Sequence, residues 1–215
     1  MEIHTTKPYR NIQNGANWCW VVAAKLVGEN HLYPENTVLP DKSERSKLEK
    51  QIDSHDGFRR RYLGFSDGNY TIDQEQYNIV KNICTDTIDG AFLGDDSCKC
   101  RALRYVASGD ADSNTVKIMN IGNSGSNLLE DHMQHIAFIL QKKIAFIGNF
   151  LYIHSTSQLH SIMCCPVNEK EIYIYDPWDG YSAKFTVPQI FQTGFMTNRG
   201  AGKISWIQYI TNIKK

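Results

Sequence analysis

From Trp20 to Ala24 the chain reads Trp-Val-Val-Ala-Ala, with no polar side chain to turn toward water. Such a run is satisfied only inside a core, so whatever this chain folds into must be built around it. Asn14-Gly15 just ahead is turn-like, and Asn17 is a good N-cap residue. The pattern predicts a helix that begins after Asn17, is buried nearly all round, and stops near Gly28-Glu29-Asn30. Cys19 then falls in the first turn, facing unpaired backbone N–H groups and the positive end of the helix dipole. Both favour the thiolate, which is the reactive form of cysteine. A free cysteine in a core helix is more often an inert packing residue, so the thiol alone does not decide the matter.

The rest of the composition narrows the field. A chain of 215 residues, 41% of them hydrophobic, can bury one good core. Acidic and basic residues balance at 23 each, and no basic stripe points to nucleic acid. No apolar run reaches the roughly 18 residues that a membrane span needs. Residues 1–7 lack the apolar region of a signal peptide. The expected location is the cytoplasm, or export without a cleaved N-terminal signal, as for an effector.

The six cysteines, Cys19, Cys84, Cys98, Cys100, Cys164 and Cys165, do not have the spacing of a disulfide framework. Cys84, Cys98 and Cys100 would supply three metal ligands, but no fourth stands nearby, and a CxxC step is missing. We expect no metal and no cofactor.

Along the chain, residues 31–66 are polar and punctuated by Pro34 and Pro40, and residues 71–83 have the apolar spacing of a short helix. Residues 84–130 are turn-rich, with one strand expected over 115–119, and residues 128–142 have helical spacing again. After that the texture changes to short apolar or alternating runs at 144–147, 161–165, 171–175, 182–187 and 205–210, separated by turn clusters. Helices first and strands after make an α+β order. We expect one domain over residues 1–215, its helical half about 1–142 and its antiparallel sheet half about 143–215, with two layers meeting at a cleft.

A nucleophilic thiol requires a base, a group to orient that base, and donors for the oxyanion. His160 heads the strand 161–165, and Asp176 ends the strand 171–175. If those strands form a hairpin through Pro166–Lys170, the imidazole and the carboxylate become neighbours. His132, His135 and His154 compete for the role of base, but none is followed by a strand that returns to an acid.

These residues resemble the papain-like cysteine peptidases. That superfamily carries a Gln six residues before the nucleophilic Cys and a Trp directly after it, as do Gln13 and Cys19-Trp20. Its base His heads a strand and its orienting Asn or Asp follows about sixteen residues later, as Asp176 follows His160. A Trp two places after the orienter is also shared, as Asp176-Pro177-Trp178. The likeness is greatest to compact bacterial branches, the bacteriocin leader-peptide peptidases and the avirulence-type effector proteases. It covers about 13–27 and 158–180 closely and 31–130 hardly at all. Ala16 stands where the plant and lysosomal enzymes carry a disulfide cysteine, which sets that branch aside.

The resemblance implies a papain-like α+β fold, in which a buried N-terminal helix carrying Cys19 packs against a sheet carrying His160 and Asp176. It implies hydrolysis of peptide bonds in a peptide or protein substrate. In it Cys19 is the nucleophile, His160 the base, Asp176 the orienter, and Gln13 an oxyanion donor with the Cys19 N–H. Trp178 would shield the His160–Asp176 bond, and Trp20 belongs to the surrounding shell, more core than cleft. Two other readings use the same residues: a transglutaminase-like thiol acyltransferase, and a catalytically idle module that only binds peptides.

Overall fold

The computed structural model describes residues 19–32, 87–88, 91–92, 96–108, 110–122, 128–153, 159–177 and 181–213. Gln13, Trp178, His154, Cys84 and the helix expected over 71–83 lie outside the described residues.

Helix α1 spans Cys19–Leu32. A small antiparallel pair, β1 (Thr87–Ile88) and β2 (Ala91–Phe92), comes next, then α2 (Asp96–Ser108) and β3 (Val116–Gly122). Helices α3 (Leu128–Asp131) and α4 (Met133–Lys142) lead into β4 (Phe146–Tyr152). Lys143 ends α4 with left-handed backbone (φ 52°), its N–H capping the carbonyls of Ile139 and Leu140. Strands β5 (Leu159–Pro166), β6 (Glu171–Tyr175) and β7 (Ser182–Thr186) follow. A π-helical turn at Gln189–Thr193 precedes β8 (Phe195–Thr197) and the long β9 (Gly200–Ile213).

Seven strands form one antiparallel sheet in the order β3-β9-β4-β5-β6-β7, with β8 also paired to β9. The α+β class expected from the sequence is the class observed. The expected two layers, however, are three. Alternate residues of the central strands go to opposite sides, because a strand's side chains alternate. Ile147, Met163, Tyr173 and Tyr175 join Trp20, Ala23, Ala24 and Val27 of α1 and Leu103 and Val106 of α2. Phe146, Ile162, Ile172 and Ile174 join Leu128 of α3, Ile136, Ile139 and Leu140 of α4, and Ile190 and Phe191 of the π-helical turn. Apolar residues at consecutive positions, as in Phe146-Ile147 and Ile162-Met163, are what a sheet covered on both faces demands.

Three further expectations are corrected. β3 lies in the supposed helical half but pairs with β9 through residues 116–122, so the two halves are interleaved. α2 forms where only turns were expected; Cys98, Ala102, Leu103 and Val106 give it a buried stripe at helical spacing. Lastly, α1 runs on to Leu32, two residues past the stop expected near Gly28-Glu29-Asn30. Gly28 is buried, and a Cβ built there would fall within the Val106 side chain of α2. The glycine is a point of close helix approach, not a helix stop.

Gly28→Leu should therefore destabilise the fold by about 1–3 kcal/mol through overpacking, which exceeds the ~1 kcal/mol that leaving glycine gains in helix propensity. Urea unfolding measures this, and Gly28→Ala combined with Val106→Ala should recover most of the loss seen with Gly28→Ala alone.

Candidate active site

The site is built on the β5–β6 hairpin. Its turn is closed by Asn168, whose Oδ1 accepts the N–H groups of Lys170 (2.8 Å) and Glu171 (3.0 Å), while Val167 N–H donates to Glu171 O (2.9 Å). An Asn that satisfies the backbone two residues on is a standard turn-former. The turn sets the register, whose last pair is Met163 with Tyr175. Asp176 is the next residue after that pair, near enough to the start of β5 for its carboxyl to reach His160. Asp176 precedes Pro177, which disfavours helical backbone at the residue before it, and Asp176 N–H donates to Tyr181 O at 2.8 Å.

In that geometry His160 Nε2 and Asp176 Oδ1 are 2.6 Å apart. The same imidazole and the Cys19 thiol act on each other electrostatically, each favouring the charged form of the other. Ser161 N–H donates to Cys19 Sγ at 3.5 Å. The three groups descend in depth: Cys19 is 9% exposed, His160 3% and Asp176 not at all. The thiol is thus outermost and the carboxyl deepest. A buried carboxylate is tolerated only when it is paired, and here the imidazole is its partner.

The electrostatics follow. Burial, the largest influence, pushes the Cys19 thiol up, but it is outweighed by the His160 charge, the His160 hydrogen bond, the Ser161 N–H and the charge of Lys99. The net result lies below the usual value near 9. For His160, burial likewise opposes the charged form. The Cys19 charge, the hydrogen bonds to Asp176 and Cys19, and the Asp176 charge together raise it to about 9. Both shifts run in the direction of a thiolate–imidazolium pair. Cys164 and Cys165 go the other way: burial pushes Cys165 up to about 11 and Cys164 well above its usual value.

Trp20 is 1% exposed and packs in the core between α1 and the sheet. His132 and His135 are engaged elsewhere, with Gly122 O at 3.0 Å and Tyr209 Oη at 3.2 Å. Among the described residues no three His, Cys, Asp or Glu side chains converge as metal ligands do. Cys98 and Cys100 sit two apart on α2, where side chains do not face one another. No helix among the described residues is long and apolar enough to cross a membrane. Sequence reasoning missed Lys99, which is 3% exposed on α2. It also missed the Ser161 N–H, a backbone donor that no side-chain motif announces.

No family model, curated protein or solved structure matches this chain.

Iodoacetamide at pH 6 should alkylate Cys19 before Cys164 and Cys165, which should stay unmodified while the protein is folded. His160→Ala should abolish that preference by removing the group that does most to offset burial; peptide mapping after alkylation reads both outcomes.

Proposed function

We propose that this chain is a cysteine peptidase of papain-like organisation, hydrolysing peptide bonds of a peptide or protein substrate. The observation that carries the reading is the buried line Cys19–His160–Asp176, assembled from α1, β5 and the end of β6. A thiolate at a helix N-terminus, held by an imidazolium that is itself held by a carboxylate, is the arrangement nucleophilic acyl chemistry requires.

In this scheme Cys19 Sγ attacks the scissile carbonyl carbon and the carbonyl oxygen becomes an oxyanion. The C–N bond breaks as His160 gives its Nδ1 proton to the leaving amine, which leaves a thioester on Cys19. Neutral His160 then takes a proton from water as the water adds to the thioester. The C–S bond breaks, the acid product leaves, and the ion pair is restored. Asp176 keeps a proton on Nε2 throughout and stabilises the charged ring. The Cys19 N–H, in the first turn of α1 where no intrahelical acceptor exists, is one oxyanion donor. Gln13 supplies the second in the arrangement that its spacing resembles, with Trp178 shielding the His160–Asp176 bond.

Cys19→Ala and His160→Ala should each lower turnover of a cleavable peptide by roughly 10³-fold or more, and the double variant should be little worse than either, because the residues act as a unit. The pH profile of kcat/KM should be bell-shaped. Its alkaline limb should lie at about 9, where His160 loses its proton, and its acid limb below the usual thiol value, where Cys19 gains one. Asp176→Asn should shift the alkaline limb downward, since the carboxylate helps to raise His160. Peptide-library profiling with mass spectrometry is the decisive measurement. Free carboxylates that disappear on alkylation of Cys19 support hydrolysis, new amides would instead make the chain an acyltransferase, and no product from any peptide would overturn the reading.

A further inference from the structure

A row of polar side chains crosses the face of the sheet that α1 and α2 cover, where apolar residues would pack at less cost. It runs through four neighbouring strands: Asn120 of β3, Gln208 of β9, Asn149 of β4 and Ser161 of β5. Asn120 pairs directly with Gln208, and Asn149 with Ser161. Gln208 and Asn149 are diagonal neighbours, because their register partners are Ile147 and Trp206. Asn149 and Gln208 have no exposure at all, and Ser161 has 3%.

The hydrogen bonds in this row run in one direction. Gln208 Nε2 donates to Asn120 Oδ1 at 2.8 Å, which turns Gln208 Oε1 toward Asn149. Asn149 Nδ2 donates to that Oε1 at 2.7 Å and to Trp206 O at 3.2 Å. The amide is therefore oriented, with Oδ1 left to accept the Ser161 hydroxyl at 3.3 Å. Ser205 Oγ–H donates to the Asn149 carbonyl at 3.3 Å and anchors the same residue through its backbone. Ser161 thus commits its hydroxyl away from the sulfur, and what it offers Cys19 is its backbone N–H, at 3.5 Å.

We infer that this row positions the nucleophile: Asn149, oriented by Gln208, holds Ser161 so that its N–H points at Cys19 Sγ. The inference rests on Cys19 being the nucleophile, and it deepens that reading by adding Ser161, Asn149 and Gln208 as positioning residues. The charged groups that bear on the thiol are His160 from β5 and Lys99 from α2, with Asp176 behind His160. No member of the row carries a charge, so a neutral replacement in it alters no charge near the sulfur. Any change in thiol reactivity then reports on position and on the N–H bond.

The test is the rate of Cys19 alkylation by iodoacetamide against pH, measured on the full chain with Ser161→Ala, Ser161→Thr and Asn149→Leu. Ser161→Ala and Asn149→Leu should slow alkylation at pH 6 by about fivefold, the factor that one ordinary hydrogen bond is worth, and should move the midpoint upward. Ser161→Thr, which keeps the hydroxyl, should stay near the wild-type profile. If Ser161→Ala is superimposable on the wild type across the pH range, the inference is wrong, whatever happens to melting temperature. That comparison stands even if Asn149→Leu fails to fold. Alkylation needs no peptide substrate. A shifted profile in a chain that cuts nothing would sink the peptidase reading alone, and an unshifted profile in an active peptidase would sink this inference alone.

Discussion

The docking of α1 against β5 is the contact on which the candidate site depends. Cys19 and His160 stand 141 positions apart in the sequence, and no local element could bring them together. Trp20, Ala23, Ala24 and Val27 seat the helix on Met163, Cys165 and Tyr175. The small residues Ala23 and Ala24 let the helix axis come close to the sheet, and Gly28 does the same for α2. Burial of a few such side chains contributes roughly 1.5–3 kcal/mol for each large one. That apolar seat holds the first turn of the helix, and with it the Cys19 sulfur, in place with little exposure.

Burying an ion pair costs several kcal/mol for each ion, and the mutual attraction offsets this only when the remaining bonding capacity is filled. Here the His160 ring is bonded to Asp176, its charge and that of Cys19 favour one another, and the sulfur gains the Ser161 backbone donor. His160 thus stands where the helix layer meets the hairpin. Such an arrangement adds little to net stability, but it leaves the three groups one mutual geometry.

The parts of this organisation that were legible in the sequence are those carried by local pattern. The apolar run after Asn17 marked the helix, and the paired runs 161–165 and 171–175, with their turn, marked the hairpin that joins His160 to Asp176. Gly28 misled because a glycine near a helix end and a glycine at a helix crossing look alike until the second helix is known. α2 was hidden among glycines and charged residues, although its four buried apolar positions repeat at helical spacing. The second layer of helices, the place of β3 beside β9, and the polar row from Asn120 to Ser161 are all relations between distant strands. Single-sequence periodicity reports which side of an element is buried, not which element covers it.

The fourteen-residue β9 comes last in chain order among the described elements, yet it lies inside the sheet, between β4 on one side and β3 and β8 on the other. During synthesis on the ribosome, β3 has no partner strand until β9 emerges. The edge of β4 that β9 will occupy stays open for the same interval, and Asn149 has neither Gln208 nor the Trp206 carbonyl to orient it. Non-local pairing of this kind slows folding and prolongs the exposure of unpaired strand edges. The helix bearing Cys19 is translated early, but the sheet that steadies its neighbours is finished late, so the bonds that orient Asn149, and through it Ser161 beside the Cys19 sulfur, are completed only when the last strand has paired.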